Sequence, residues 1–158
     1  MGKVNKLFGL IFGCAVLCFV SCSDDDGGDG TPTADVVGQW DLIQINISAA
    51  QDIDQDDTSS TNLLDELSCI SGTLTINADE SWRLQQSNVV ITSLTNDEFF
   101  AECSGTINGV GTWVANAVQV IFNGDSFLSS MQVGANDTLV FTVDEDLPGV
   151  LSYVYQRR

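Results

Sequence analysis

Apolar and polar side chains alternate in short runs from Val36 onward, and Gly, Asn, Asp and Ser separate the runs. Alternation with a period of two places one set of side chains on each face of a strand, so it predicts antiparallel strands with one buried face. The alternating apolar positions are Ile70, Leu74 and Ile76; Trp82 and Leu84; Val118, Val120 and Phe122; Leu139, Phe141 and Val143; and Leu151, Tyr153 and Tyr155.

The spacing of these runs predicts a sheet made of successive hairpins. We place strands near 36–48, 70–77, 81–92, 99–103, 106–115, 117–123, 126–133, 137–143 and 150–157. Open sheet edges invite aggregation, so a sheet of this kind is expected to close or to stack. The sequence therefore predicts an all-β fold over 36–158, an antiparallel up-and-down β-barrel of about eight strands, with a Greek-key sandwich as the alternative.

One polar and acidic segment, 49–66, interrupts the strands, and we expect either a mobile flap over the end of the sheet or plain disorder. Asn62 is a candidate N-cap for a single helical turn ending near Leu67. Several carboxylates occur close together, but the glycine and the bidentate glutamate of an EF-hand loop are missing. These carboxylates belong to Asp52, Asp54, Asp56 and Asp57. We therefore expect weak calcium binding at most, and predict no metal site and no cofactor.

The amino terminus has a different pattern, in which Lys3 and Lys6 precede an apolar run over 7–20. A charged start followed by an apolar run and a small residue is typical of a secretory signal peptide. The run is shorter than the roughly 20 apolar residues that span a bilayer, which argues against the alternative of a transmembrane anchor.

Residues 19–22, Phe-Val-Ser-Cys, resemble the lipobox of bacterial lipoproteins, with Phe19 where Leu is commoner. The resemblance implies that residues 1–21 are removed as a signal peptide and that Cys22 carries a lipid anchor in the membrane. Residues 22–35 offer almost no apolar side chain and predict a flexible tether. The acidic residues behind Cys22 also resemble the surface-export signal of Bacteroidetes lipoproteins, which implies the cell surface of the outer membrane. An ordinary linker on a periplasm-facing protein is the alternative.

The chain is strongly acidic, with a net charge of −17 that becomes −19 when Lys3 and Lys6 leave with the signal. A negative charge of this size repels phosphate backbones and anionic head groups, so it excludes nucleic-acid binding as a main role. The lipid, rather than electrostatic attraction, is then expected to hold the protein on its membrane.

The expected oxidising compartment determines the state predicted for the cysteines. Cys14 and Cys18 lie in the predicted signal and Cys22 is the predicted lipid site, which leaves Cys69 and Cys103. In an oxidising compartment we expect one disulfide, which would contribute roughly 3–4 kcal/mol by restricting the unfolded chain. Two buried free thiols are the alternative.

Gly38, Gln39 and Trp40 resemble the Gly-x-Trp motif of lipocalins. The later landmarks of the resemblance are Cys69 before a Leu-Thr-Ile strand, 79–82 at a hairpin, Cys103 ahead of 111–113, and the terminal 153–157. Over about 36–157 the chain resembles the lipocalin-like domain of many Bacteroidetes lipoproteins, a resemblance that implies a barrel but no particular ligand.

The position of Trp40 allows a further expectation about the barrel floor. In an up-and-down barrel with an even number of strands, the first and last strands pair antiparallel, which brings Arg157 or Arg158 near Trp40. A guanidinium stacked on the indole, beside Gly38, would close the floor and contribute roughly 0.5–2 kcal/mol, and the lipocalin resemblance implies the same contact. An ordinary buried tryptophan with solvated terminal arginines is the alternative.

The sequence offers few candidate catalytic residues, because the chain has no histidine. Histidine-based acid–base catalysis, Ser-His-Asp triads and the common zinc ligand sets are therefore absent. A glycosidase needs only a pair of carboxylates, but no spacing in the sequence selects one. The carboxylates considered are Glu80, Asp97, Glu98 and Glu102. We predict that the protein is not an enzyme.

The leading hypothesis is a tethered module that binds a small apolar or amphipathic ligand inside its barrel, since barrels of about eight strands hold one small ligand or fill with side chains. The possible lumen residues are Trp82, Leu84, Trp113, Phe122 and Phe141. The alternative is a solid barrel that serves as a non-enzymatic accessory or interaction subunit of an outer-membrane complex. A glycan hydrolase is the third and weakest hypothesis. The sequence does not identify a protein partner.

Overall fold

A computed structural model of the chain describes residues 34–95, 99–124, 127–143 and 149–158. The predicted signal peptide, Cys22 and the tether up to residue 33 lie outside these ranges, as do Asp97 and Glu98. Across the described ranges, no helix has the length and apolar character needed to cross a membrane.

The described strands form one antiparallel sheet that closes on itself. In chain order the elements are β1 (Gly38–Gln51), β2 (Ser60–Asn62), α1 (Leu63–Glu66), β3 (Gly72–Ile76), β4 (Ser81–Ser93), β5 (Phe99–Ala115), β6 (Gln119–Gly124), β7 (Ser130–Gly134), β8 (Thr138–Thr142) and β9 (Val150–Arg157). Neighbours follow chain order from β3 to β9, and β1 pairs with both β3 and β9. The predicted all-β, eight-stranded up-and-down barrel is confirmed, with β2 added beside β1. We call the end at which β1 begins and β9 finishes the lower end.

β1 is long enough to change partners along one edge. Gly38 to Asp41 pair with β3, whereas Asn46 and Gln51 pair with β2. The opposite edge of β1 pairs with β9, and the register there shifts after Leu42. The pairing of β1 with β3 therefore ends at Asp41 and Thr73, one residue from the start of β3, which leaves a gap along this edge of β1 between Asp41 and Asn46.

The predicted division of β5 into strands 99–103 and 106–115 is wrong, because one continuous strand crosses the Ser104–Gly105 pair. The register irregularity falls where these two residues lie opposite Asn88 of β4. Gly105 has a φ of 85°, and Asn88 Nδ2 donates a hydrogen bond to the Ser104 carbonyl at 3.1 Å. Serine followed by glycine is therefore a β-bulge here rather than a turn.

Other strand boundaries differ from the predictions by a few residues. The strand predicted from 117 begins at Gln119, because Asn116 Oδ1 accepts hydrogen bonds from the N–H groups of Val118 and Gln119 at 2.9 and 3.0 Å. That side chain closes the β5–β6 turn. The strand predicted over 126–133 begins later, at Ser130.

The segment 49–66 is more regular than a flap or a disordered loop, so that prediction is wrong for much of its length. It contains the end of β1, all of β2 and all of α1. The predicted helical turn and its cap are confirmed, since Asn62 Oδ1 accepts from Leu64 N at 3.2 Å and also from Ile45 N at 3.0 Å. Leu63 is 1% exposed and joins the core, which holds α1 on the upper part of the barrel.

Inward-facing side chains form a single hydrophobic core. Leu74, Leu84 and Leu139 have no exposed surface, and the cluster also draws on β1, α1, β6, β7 and β9. Burial of apolar surface, at about 25 cal/mol per Å², is the main favourable term that keeps the barrel folded.

Candidate functional site

Trp40 closes the lower end of the barrel. Its side chain is 1% exposed, and Nε1 donates a hydrogen bond to the Val36 carbonyl at 3.0 Å. The guanidinium carbon of Arg157 lies 4.4 Å from the centroid of the Trp40 ring. Of the two arginines considered from the sequence, Arg157 is the one that stacks on the indole.

Arg157 is held in this position by the chain that enters the barrel. Its guanidinium donates to the carbonyls of Val37, at 2.6 Å, and of Asp35. Its Nε also lies 3.6 Å from Asp137 Oδ1. A Cβ at Gly38 would sit 3.0 Å from Arg157 Nη1, in a backbone conformation with φ of 149° that side chains rarely adopt. The structure thus brings Gly38, Trp40 and Arg157 together.

Three of the five possible lumen residues lie together in the interior. Trp82, Leu84 and Phe122 are all buried, and the rings of Trp82 and Phe122 meet edge to face at 5.3 Å. Trp82 Nε1 donates to the Asn123 carbonyl at 3.2 Å, so its polar atom is satisfied. Gly111 permits this packing, because a Cβ there would come within 2.8 Å of Trp82 Nε1.

The other two possible lumen residues, Trp113 and Phe141, are half-buried and pack against the same core. Trp113 is half-buried, and its Nε1 donates to the Asn77 carbonyl in the β3–β4 turn at 2.9 Å. Phe141 stacks on Tyr153 at 5.9 Å and contacts Phe127 at 5.7 Å. All five residues therefore belong to, or pack against, one hydrophobic core.

Gln86 is a polar residue of the interior that was not among the residues expected to line the lumen. Gln86 is 2% exposed, and its Oε1 accepts a hydrogen bond from the hydroxyl of Tyr155, which has no exposed surface. Burial raises the pKa of Tyr155 well above its usual value and that of Tyr153 to about 12. The alternation of Trp82, Leu84 and Gln86 was the available signal, since it already points the amide inward.

A cavity of about 430 Å³ opens on the barrel wall where the pairing of β1 with β3 ends. Its buried lining residues are Leu42, Ile70 and Gln86. A second cavity of about 290 Å³ lies toward the lower end and includes Arg83. The two share the cross-strand pair Thr73 and Gln85, so they adjoin, and we call them together the wall groove.

Two charged residues that line the wall groove, Arg158 and Asp41, form an ion pair. Arg158 donates to both carboxylate oxygens of Asp41, from Nε at 2.9 Å and from Nη2 at 2.6 Å. These hydrogen bonds, and the Asp41 charge, raise the pKa of the Arg158 guanidinium above its usual value. Arg83 faces solvent on the same wall. The wall groove therefore presents polar and charged groups above a small apolar base.

The acidic segment 49–66 contains a carboxylate cluster whose members differ from the four aspartates considered from the sequence. Carboxylate oxygens of Asp52, Asp54 and Glu66 lie within 4.8 Å of one another. Glu66 is 4% exposed, and its Oε2 accepts from Ile53 N at 2.8 Å. Desolvation, and then the neighbouring charge of Asp56, raise the pKa of Asp54. The loop thus uses carboxylates as acceptors for its own backbone.

Cys69 and Cys103 form a disulfide with an S–S distance of 2.04 Å and a Cα–Cα distance of 6.3 Å. The bridge joins the segment before β3 to the upper part of β5. Ser87 Oγ donates to the Cys69 carbonyl at 2.8 Å, so the same segment is also fixed to β4 beside the wall groove. The disulfide therefore fixes this edge of the wall groove covalently.

Comparison of the chain with protein-family models, with curated proteins and with solved structures finds no match.

Proposed function

We propose that this protein is a lipid-anchored, non-enzymatic β-barrel module that acts through its outer surface as an interaction subunit at the outer membrane. The observation that carries the proposal is the filled interior. Trp40, Trp82 and Tyr155 are among the largest fully buried side chains. Their polar atoms are bonded within the protein, as expected for a closed core rather than for an open binding pocket.

Membrane attachment is supported by the signal-like amino terminus and by the lipobox resemblance around Cys22. The described part of the chain begins beside the lower end, since Ala34 N donates to the Asn116 carbonyl at 3.1 Å. A tether over 22–33 would therefore leave the barrel at that end. The upper end and the wall would then be free to meet a partner, on the cell surface or in the periplasm.

Lipid attachment is tested by growth with labelled palmitate. We expect the wild-type chain to incorporate the label and Cys22→Ser to lose it, because the thiol is the acceptor. Ser23→Ala is the matched control and should stay labelled. An unlabelled wild-type protein, expressed at a normal level, would reject the anchor.

The second candidate is a binder of a small apolar ligand, and one observation favours it. Phe127, Phe141 and Tyr153 form an aromatic group at the upper part of the barrel, and Phe127 and Phe141 are only half-buried. Such a group is suited to holding an apolar molecule at a barrel mouth.

Native mass spectrometry of the Cys22→Ser mature chain separates the two candidates. A surface-acting module is expected to appear at the mass of the polypeptide alone. A co-purifying lipid that is lost in the Phe141→Ala variant, but kept in a Val114→Ala control on the outer face, would instead favour the apolar binder.

A further inference from the structure

Positive charge is scarce in this protein, and two of its arginines line the wall groove. The chain has five basic residues, and the mature form without Lys3 and Lys6 keeps Arg83, Arg157 and Arg158. Arg158 lines the larger cavity and Arg83 the smaller one. The wall groove is therefore a surface of an otherwise acidic domain on which an anionic group meets positive charge.

Arg83 differs from the other two arginines because its guanidinium is unpaired. Arg157 stacks on Trp40 and donates to backbone carbonyls, and Arg158 is paired with Asp41. Within the described residues, the guanidinium of Arg83 has neither an ion pair nor a hydrogen bond, and only its backbone is bonded in the sheet. Its planar N–H donors are thus available, and a guanidinium in this state binds a carboxylate through two parallel hydrogen bonds.

Gln86 supplies a second group with unused hydrogen-bonding capacity. It lines the larger cavity although it is only 2% exposed. Its Oε1 is bonded to the Tyr155 hydroxyl, and its amide nitrogen has no hydrogen-bond partner among the described residues. No fully buried side-chain nitrogen of those residues lacks a partner, so this nitrogen is reached by solvent. A nearly buried amide fixed at one end and free at the other is a preorganised donor for a ligand in the groove.

The remaining lining is made largely of hydroxyl and amide groups, which include Gln39, Ser71, Thr73, Thr75, Gln85 and Ser87. No aromatic ring is among the residues that line either cavity, so a ligand cannot stack and must be held by hydrogen bonds. The larger cavity alone, at about 430 Å³, is within the range of roughly 300–1,000 Å³ in which small ligands bind.

We propose that the wall groove binds a saccharide that carries one carboxylate, the chemistry of a uronic acid unit in a glycan. Arg83 binds the carboxylate, while Gln85, Gln86 and the neighbouring hydroxyl groups bind the ring hydroxyls. The inference rests on the proposed function, because it takes the outer surface as the working surface, and it adds the class of ligand.

The charge of the domain selects for a single carboxylate. Arg83 is the one unpaired cation of the described lining, since Arg158 is neutralised by Asp41. Screening at physiological salt limits long-range repulsion to a distance of about 8 Å, so one carboxylate seated on Arg83 is tolerated. A polyanion extends over the acidic surface beyond the groove and is repelled there.

The proposal is tested by calorimetric titration of the mature lipoprotein in detergent with glucuronosyl-xylose, and in parallel with the neutral glucosyl-xylose. Arg83→Gln removes the carboxylate partner, and because this side chain is exposed and unpaired the fold should persist. Gln132→Glu is the matched control, since it makes the same change in net charge at an exposed position on β7, across the barrel from β3 and β4.

We expect the acidic disaccharide to bind the wild type and to bind Arg83→Gln about tenfold more weakly or worse, because a charge-assisted pair is lost. The Gln132→Glu control should change affinity less than about twofold. Equal binding of the neutral and acidic disaccharides, equal binding by Arg83→Gln, or no binding to the wild type would overturn the inference. These results leave the proposed function standing if native mass spectrometry still finds no ligand inside the barrel.

Discussion

Replacing Trp40 by alanine tests the barrel floor directly. Trp40 is 1% exposed, so the variant loses nearly all of the apolar burial of an indole and leaves a cavity behind. Tryptophan-to-alanine changes of this kind cost about 3–5 kcal/mol. Part of that loss is the contact with the Arg157 guanidinium, which lies 4.4 Å from the ring centroid and is worth roughly 0.5–2 kcal/mol.

The assay is guanidinium denaturation of the purified barrel, followed by tryptophan fluorescence and by far-ultraviolet circular dichroism. The chain has three tryptophans, so Trp82 and Trp113 still report unfolding in the Trp40→Ala variant. We expect the free energy of unfolding to fall by about 3–5 kcal/mol and Tm to fall by roughly 10–20 °C.

A double-mutant cycle isolates the cation–π contact. Trp40→Leu, Arg157→Gln and the combined variant should give a coupling energy of roughly 0.5–2 kcal/mol. A loss below about 1 kcal/mol in Trp40→Ala would refute the floor assignment. A coupling energy near zero, with a large loss in Trp40→Ala, would keep the buried indole and remove the role of the guanidinium.

Three further predictions concern other parts of the barrel. Replacing Cys69 and Cys103 together by serine should lower the free energy of unfolding by roughly 3–4 kcal/mol, because the closed loop spans 34 residues; an unchanged denaturation midpoint would contradict this. Tyr153 and Tyr155 are the only tyrosines, and burial raises the pKa of Tyr153 to about 12, so the folded protein should show little phenolate absorbance at pH 10–11. A raised pKa means that stability is retained below pH 10 and declines as the pH rises toward 12, and ordinary titration near pH 10 without urea would contradict the burial. Gly111→Ala should destabilise by about 1–3 kcal/mol in chemical denaturation, because the added Cβ would lie 1.8 Å from the Asn123 carbonyl oxygen; a neutral effect would show that β5 and β6 can move apart.

The fold could be predicted from the sequence because alternation is a local property of each strand. Leu74 and Leu139 face the core where the period of two places them, and Asn62 caps α1 as its side chain suggests. Antiparallel closure then brings the last strand to the first, which predicts that Arg157 or Arg158 lies beside Trp40, and the strand register selects Arg157.

The parts that the sequence did not predict depend on pairing between distant segments. Ser104 and Gly105 have the composition of a turn, and only the partner Asn88 makes them a bulge. β2 is three polar residues long and shows no alternation, so its pairing with β1 could not be anticipated. The wall groove exists because β1 leaves β3 for β2, and it was missed for the same reason.

Closure by β9 has a consequence for how the protein is made. The last strand is eight residues long and completes the hydrogen-bonded ring on both sides. Until those residues are synthesised, β1 and β8 remain open edges, so a chain still in synthesis has no closed barrel. A premature stop just before β9 would therefore release a protein with two unpaired strand edges, which is prone to self-association.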